Sequence, residues 1–249
     1  MDERYLVMKG AEPFYFEGDN TGVLVIHGFS STTASVYPIG QRFHQAGFTV
    51  FGPRLKGHGT HPNDLEQSTY EEWCATVEEG YAFLQESCDS IYIAGLSMGG
   101  TLALHLANQY PSTKGIILIN AALDIPMLQS DREERFIPGI HSDIKKEGVA
   151  ELAYDNIPVQ SLKELEKLMK ETKEKLSHIH VPARIFVSRE DHVVPMNNSE
   201  FIYKEIPTDD KHLIVMEDSY HVATLDHDQG KIALESIAFI NGLTVSTEG

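Results

Sequence analysis

The segment Ile91-Tyr92-Ile93-Ala94-Gly95-Leu96-Ser97-Met98-Gly99-Gly100-Thr101 decides the fold. Its first four residues are aliphatic or aromatic and predict a buried strand, and a helical pattern runs from Thr101 until just before Pro111. Ser97 lies between them in a G-x-S-x-G pattern. A tight turn from strand to helix strains the backbone of its central residue, so flanking residues without a Cβ are favoured. Because such a turn exposes the hydroxyl beside a helix N-terminus, we predict Ser97 as a nucleophile.

Short apolar runs alternate with helical patterns along most of the chain. Strands are predicted at residues 22–26, 49–51, 91–94, 115–119, 183–188 and 213–216. A helix is predicted over 70–84, with Ser68 and Glu71 as its capping box, and a final helix over about 228–240. This alternation predicts an α/β fold with a mostly parallel central sheet and helices on both faces.

The segment from about residue 124 to 180 interrupts this alternation. It shows no strand pattern, and its first part is polar and punctuated by Pro and Gly, whereas Leu162, Leu165 and Leu168 mark one face of a later helix. The strand pattern then resumes at residue 183. We therefore predict a core of residues 1–123 and 181–249 and a helical cap insertion, 124–180, that lies over the sheet.

The composition is that of an acidic globular protein of 249 residues, with 20 Lys and Arg against 37 Asp and Glu and a net charge of −17. Such a field repels nucleic acids and anionic membrane surfaces, so neither is expected as a stable partner. No apolar stretch reaches the ~18 residues of a membrane-spanning helix. The first residues lack the apolar core of a secretory signal, and the only two cysteines, Cys74 and Cys88, suit a reducing compartment. We expect a cytoplasmic monomer or homodimer.

A base must take the proton of the serine hydroxyl, and the chain offers 12 histidines. In architectures with this type of turn, the chain order is nucleophile, acid, histidine, with the last two on loops after later strands. His221 directly follows the last predicted strand and is the predicted base. His227 is the nearest alternative, but it falls at the start of the final helix. His105, His178 and His180 lie inside a helix or before a strand.

The acid partner is expected on the loop after the strand 183–188. Asp191 is the predicted acid, because a D-x-x-V-P turn presents its aspartate to the histidine, and Glu190 is the alternative. The carboxylate would orient the imidazole and stabilise the imidazolium that forms. His192 adjoins this acid, but neighbours in a loop usually point apart, so a structural role is expected for it.

The loop His27-Gly28-Phe29-Ser30 follows the first predicted strand, where an oxyanion loop is expected. The backbone N–H groups of Phe29 and Met98 are the predicted donors to the tetrahedral oxyanion. His27 is expected to brace this loop rather than to ligate anything, and His58 to be structural.

No cofactor is expected. The chain contains no H-E-x-x-H pattern, its two cysteines are too far apart for a C-x-x-C pair, and no G-x-G-x-x-G or P-loop opens a helix. The patterns therefore favour neither a metal nor a nucleotide, and they indicate catalysis by side chains and water.

With these residues assembled, the sequence resembles the bacterial monoacylglycerol lipases and the related small thermostable carboxylesterases of bacilli, members of the α/β-hydrolase fold. The likeness extends over nearly the whole chain. It is carried by Val25-Ile26-His27-Gly28-Phe29, residues 53–60, 95–101 and 119–122, Glu151-Leu152-Ala153-Tyr154, and residues 191–195 and 219–226.

The resemblance implies a cap that holds an apolar acyl tunnel and a small polar pocket. Glu151 takes the position of a cap glutamate that binds a glycerol hydroxyl in these lipases, and Ile140 corresponds to an apolar residue at the tunnel entrance. A solvated helix carboxylate is the alternative for Glu151. Residues 130–138 depart from the family pattern, since they are shorter and more charged.

The expected function is hydrolysis of a small lipid ester, a monoacylglycerol, to glycerol and free fatty acid through an acyl-enzyme on Ser97. The alternative is a carboxylesterase for short- to medium-chain acyl esters without glycerol specificity. A binding module without catalysis is disfavoured, because it would not need Ser97, His221, Asp191 and the Phe29 loop together.

Overall fold

A seven-stranded, mostly parallel sheet runs through the structure, a computed structural model that describes residues 3–140 and 142–246. The strands are β1 (Phe14–Phe16), β2 (Thr21–Ile26), β3 (Thr49–Gly52), β4 (Ser90–Leu96), β5 (Gly115–Ile119), β6 (Phe136–Pro138), β7 (Asn156–Pro158), β8 (Ala183–Ser188) and β9 (Lys211–Met216), of which β6 and β7 form a separate pair. The large sheet has the order β1-β3-β2-β4-β5-β8-β9. Only β1 pairs antiparallel in it. The predicted α/β fold is confirmed.

Helices cover both faces of this sheet. In chain order they are α1 (Tyr37–Gln45), α2 (Pro62–Gln67), α3 (Tyr70–Gln85), α4 (Met98–Gln109), α5 (Val159–Lys175), α6 (Asn197–Glu205) and α7 (Gln229–Ser246). Helices α1 and α7 pack against one face and α3, α4 and α6 against the other, where α5 packs on α3 and α4. Helix α7 extends to Ser246, so the final helix is longer than the predicted 228–240.

Successive side chains of the central strands point to opposite faces and build two cores. In β4, Ile91 and Ile93 lie in the core under α3 and α4, whereas Tyr92 and Ala94 lie in the core under α1 and α7. A one-residue slip would exchange the two sets of side chains, so this burial specifies the register. As a result the carboxyl ends of the parallel strands meet at one edge of the sheet, where the predicted site residues follow them.

The segment predicted as a cap, 124–180, contains a strand pair that the sequence analysis missed. Strands β6 and β7 pair antiparallel, with Ile137 opposite Ile157. Each has three residues, as does β1, so none is long enough to show a recognisable alternation. The later helix of this segment is α5. Its predicted apolar face, which includes Leu165, packs against α4. The division into core and cap stays a prediction.

The capping box of α3 lies one residue further along than predicted. The Thr69 side chain accepts from the Glu72 backbone N–H, and the Glu72 carboxylate accepts from the Thr69 N–H at 3.0 Å. The assignment to Ser68 and Glu71 was wrong, because both pairs have the same spacing in the run S-T-Y-E-E. The Ser68 hydroxyl accepts instead from the buried indole N–H of Trp73 at 2.9 Å.

We expect Thr69→Ala to lower the free energy of unfolding by about 1 kcal/mol, because it leaves a helix N–H without its cap. Glu71→Gln changes an exposed side chain and should alter that free energy by less than about 0.5 kcal/mol. Urea denaturation of the two variants measures the difference. A larger loss in Glu71→Gln than in Thr69→Ala would contradict the capping box found here.

Candidate active site

Ser97 occupies the turn between β4 and α4 with a positive φ of 56° and a ψ of −120°. Non-glycine residues rarely adopt such angles, and they do so where the surrounding structure enforces them. A Cβ on Gly95 would lie 2.1 Å from the Gly99 carbonyl oxygen, and a Cβ on Gly99 would lie 2.2 Å from the Ile26 carbonyl oxygen. The close approach of β2, β4 and α4 therefore requires both glycines of the pattern.

The structure brings together the three side chains predicted as nucleophile, base and acid. The Ser97 Oγ lies 2.9 Å from His221 Nε2, and His221 Nδ1 lies 2.7 Å from Asp191 Oδ2. The other carboxylate oxygen of Asp191 accepts from the backbone N–H groups of Val193 and Val194 at 2.9 and 2.8 Å. The Asp191 side chain is only 1% exposed, so these bonds orient a carboxylate that is shielded from water.

The alternatives weighed for the base and the acid lie elsewhere. The Glu190 carboxylate is exposed and pairs with Lys145, and the His227 side chain is exposed. His192 turns to another carboxylate, with its Nδ1 2.7 Å from Asp143. Geometry therefore favours Asp191 and His221 over both alternatives.

Asn120, which follows β5, links the loop of His221 to β8. Its side-chain amide donates to the His221 carbonyl oxygen at 2.7 Å and to the Ser188 hydroxyl at 3.0 Å, and its Oδ1 accepts from the Ser188 N–H at 2.8 Å. The sequence analysis assigned it no role. The sequence did offer one indication of this role: Asn120 is a polar residue directly after a buried strand, so it lies at the same sheet edge as Ser97.

The loop after β2 packs against the nucleophile. A Cβ on Gly28 would lie 3.3 Å from the Ser97 Cβ, so a side chain there would crowd the serine. His27 Nε2 accepts from the Leu55 backbone N–H at 3.2 Å. Burial lowers the pKa of His27 to about 4, which keeps the ring neutral as that acceptor requires. His27 braces the loop, as expected.

The predicted oxyanion donors flank Ser97 on two sides. Phe29 lines the same pocket as Ser97, and its ring packs edge-on against Trp73 with centroids 5.9 Å apart. Met98 is the first residue of α4, where a backbone N–H has no acceptor within the helix. Their role as oxyanion donors stays a prediction.

A pocket opens over Ser97 and His221. Ile140 and Glu151, the two residues singled out by the resemblance, both line it. Apolar side chains form much of its wall: Leu96, Ile125, Leu128, Val193 and Val222. A second pocket shares Leu128, Ile140, Asp143 and Val193 with the first, so Ile140 lies where the two pockets meet.

Glu151 supplies a polar group to this apolar pocket. Its carboxylate accepts from the Ser31 hydroxyl at 2.5 Å. Burial raises the pKa of Glu151, and the Ser31 hydrogen bond and the charge of His221 offset only part of that rise. The alternative of a solvated helix carboxylate is wrong, because residue 151 lies outside any helix and inside the pocket.

Two further carboxylates connect the segment 124–180 to the loop of His221. Asp143 accepts from the backbone N–H groups of His192 and His221, each at 3.1 Å. Asp226 accepts from the backbone N–H groups of residues 145–146 at 2.7 and 2.9 Å. The sequence analysis missed both carboxylates, because their partners lie 49 to 81 residues away in the chain and follow no periodic pattern.

Nearby carboxylates raise the pKa of His221 despite its burial. Burial by itself lowers the pKa of this imidazole, but the charge and hydrogen bond of Asp191, together with Glu151 and Asp143, raise it above its ordinary value. A hydroxyl, a neutral imidazole and a carboxylate at these distances can transfer a proton and stabilise the imidazolium. The fold and this arrangement define a serine hydrolase of the α/β-hydrolase type.

Comparisons with known proteins agree with this class. The profile of the Hydrolase_4 family, described as "Serine aminopeptidase, S33", matches residues 19–147 and 141–228. The chain is 48% identical over 244 residues to a thermostable monoacylglycerol lipase of Bacillus sp. (strain H-257), covering 96% of this chain and 98% of that protein. It is 31% identical over 241 residues to a carboxylesterase of Bacillus subtilis (strain 168), covering 93% and 97%.

Solved structures extend the comparison. A structure from work on the metagenome-derived lipolytic enzymes LipS and LipT has a TM-score of 0.92 and 44% identity, covering 95% of this chain and 100% of that one. The monoacylglycerol lipase of Paleococcus ferrophilus shares the fold, with a TM-score of 0.75 at 17% identity over 93% and 98% of the two chains. The chain therefore belongs to the Hydrolase_4 family, and with these relatives to the carboxylic ester hydrolases. Within residues 3–140 and 142–246, no helix is both long and apolar enough to cross a membrane.

The raised pKa of His221 predicts how activity depends on pH. Because the base must be neutral to accept the Ser97 proton, kcat/KM should fall as the pH drops through that raised pKa, with a midpoint above the ordinary histidine value of about 6.5. Asp191→Asn should move the midpoint to lower pH and reduce kcat by on the order of 10³–10⁴. Ester hydrolysis measured from pH 5 to 9 tests both effects.

Glu190→Gln is the matched control, since it changes an exposed carboxylate on the same loop. It should keep the wild-type profile. A wild-type midpoint well below about 6.5, or an Asp191→Asn enzyme with an unchanged profile, would contradict the assignment of base and acid.

Proposed function

We propose that this enzyme hydrolyses monoacylglycerols to glycerol and free fatty acid. The observation that carries the proposal is the pocket over Ser97, which combines apolar walls with the half-buried, hydrogen-bonding carboxylate of Glu151. An acyl chain suits the apolar side chains, and a glycerol hydroxyl suits the carboxylate, because a carboxylate can accept further hydrogen bonds besides that of Ser31. The 48% identity with a monoacylglycerol lipase over nearly the whole chain supports it.

In the acylation step, Ser97 Oγ attacks the ester carbonyl carbon while His221 Nε2 takes the hydroxyl proton. Asp191 accepts from His221 Nδ1–H and stabilises the imidazolium. The backbone N–H groups of Phe29 and Met98 bind the oxyanion, and α4 directs its positive N-terminal end at the same charge. The intermediate then expels glycerol, whose oxygen takes the proton from His221.

In the deacylation step, His221 takes a proton from water, and the resulting hydroxide attacks the acyl carbon on Ser97. The second tetrahedral intermediate collapses, the Ser97 oxygen recovers the proton from His221, and the fatty acid leaves. Glu151 plays no part in proton transfer in this scheme. Its hydrogen bond to glycerol holds the leaving oxygen near His221, which is a positioning effect.

The second candidate is a carboxylesterase for short- to medium-chain esters without glycerol specificity, which the 31% identical carboxylesterase favours. It would use the same Ser97, His221 and Asp191. The two candidates differ in whether the alcohol group contributes to kcat/KM. The predicted cytoplasmic location and the choice between monomer and homodimer stay predictions under either candidate.

Ser97→Ala should abolish hydrolysis of 1-acylglycerols and of simple esters alike, because it removes the hydroxyl that contacts His221 Nε2. The wild-type enzyme should lose activity on treatment with a fluorophosphonate and gain the mass of one phosphonyl group on Ser97. Mass spectrometry of the labelled peptide locates the adduct. Hydrolysis by Ser97→Ala beyond a trace would show that the nucleophile is a different residue.

Glu151→Gln should reduce kcat/KM for a 1-acylglycerol by about 10- to 100-fold, because a charge-assisted hydrogen bond to the alcohol is lost. The methyl ester of the same acid lacks that hydroxyl, and its kcat/KM should change less than about threefold. Glu147→Gln, an exposed carboxylate of the same segment, is the matched control and should leave both substrates unaffected. Equal losses on the two substrates would favour the carboxylesterase without glycerol specificity.

A further inference from the structure

Asp143, from the segment predicted as the cap, contacts both loops that carry the proposed acid and base. One of its carboxylate oxygens accepts from the backbone N–H groups of His192 and His221, each at 3.1 Å. The other lies 2.7 Å from His192 Nδ1. The Asp143 carbonyl oxygen also accepts from the Val222 N–H at 3.1 Å. Four hydrogen bonds thus converge on a single residue whose side chain is 12% exposed.

These hydrogen bonds hold the backbone next to the proposed acid, Asp191, and at the proposed base, His221. His192 is the residue directly after Asp191, and His221 is the base itself. Asp143 therefore joins the loops after β8 and β9 at the points that set the distance between Asp191 and the imidazole. Proton transfer is sensitive to displacements well below 1 Å, so a group that fixes this distance contributes to kcat.

Asp143 also contributes charge to the site. It lines the same pocket as Ser97 and His221. Three carboxylates face the His221 imidazole and favour its protonated form: Asp191, Glu151 and Asp143. Asp191 contacts the imidazole directly, and Glu151 accepts from the Ser31 hydroxyl. Asp143 differs from both because it accepts from the His221 backbone N–H.

The exposed ring of His192 contacts an aromatic ring, and two charged groups lie beside that ring. The His192 ring lies edge-on to that of Tyr220, with centroids 4.6 Å apart, and the Lys145 ammonium lies over the Tyr220 ring. Lys145 in turn pairs with Glu190.

We propose that Asp143 is a positioning residue that holds His221 at its reacting distance from Ser97 and Asp191. Through Asp143, the position of this base depends on how the segment 124–180 packs. The proposal rests on the proposed roles of Ser97, Asp191 and His221. It does not depend on glycerol as the alcohol group.

The test measures hydrolysis of p-nitrophenyl butyrate, which needs no glycerol recognition, together with the rate of fluorophosphonate labelling. Asp143→Ala removes the carboxylate and should lower kcat by about 10- to 100-fold while KM stays within about twofold. Asp143→Asn keeps an acceptor oxygen but removes the charge. It should lower kcat less and shift the acid limb of kcat/KM by a few tenths of a pH unit toward lower pH.

Asp155→Ala is the matched control, because Asp155 is an exposed carboxylate of the same segment. It should keep the wild-type kcat and pH profile. His192→Ala should lower kcat less than Asp143→Ala does, and combined with Asp143→Asn its effect should be less than additive, since both changes break the same contact. Thermal melting of each variant confirms that the chain is folded at the assay temperature.

Wild-type kcat and an unchanged acid limb in Asp143→Asn would overturn the positioning role, as would a loss confined to KM. If Asp143→Ala does not fold, Asp143→Asn alone decides. Ser97→Ala separates the two proposals. Hydrolysis by Ser97→Ala would show that the proposed function fails, whereas an inactive Ser97→Ala with a normal Asp143→Asn would show that only the positioning role fails.

Discussion

The positive φ of Ser97 is the constraint on which the rest of the site depends. It is sustained because β2, β4 and α4 approach so closely that Gly95 and Gly99 have no room for a Cβ. Both faces of β4 are buried, so the strand cannot shift to relieve the strain. The serine hydroxyl is thereby fixed at the sheet edge where the loops after β8 and β9 also arrive.

Buried carboxylates organise those loops, and each is satisfied by backbone N–H groups. Asp191 accepts from Val193 and Val194, Asp143 from His192 and His221, and Asp226 from residues 145–146 and Tyr220. Amide donors offset the cost of burying an anion and at the same time link segments that are distant in the chain. Burial lowers the pKa of the His221 imidazole, but the carboxylates of Asp191, Glu151 and Asp143 raise it above its ordinary value.

The nucleophile, acid and base were predicted at positions just after long strands. Ser97, Asp191 and His221 each follow a strand of six or seven residues, whose apolar run is easy to recognise. Strands β1, β6 and β7 were missed because three residues show no period, and the capping box was shifted because S-T-Y-E-E contains two equally spaced pairs. Asn120 and Asp143 were missed because their partners are distant in sequence.

The sequence by itself determined the fold class, the turn that bears Ser97 and the order of the candidate acid and base, because these depend on local periodicity and on residues without a Cβ. Only the tertiary structure decided which carboxylates meet the imidazole, that Glu151 lines the pocket, and that Asp143 binds the loops of both Asp191 and His221. The physical reason is that such contacts are made between side chains and backbone amides of separate loops. Their meeting depends on how the sheet edge and the segment 124–180 pack, which no local pattern encodes.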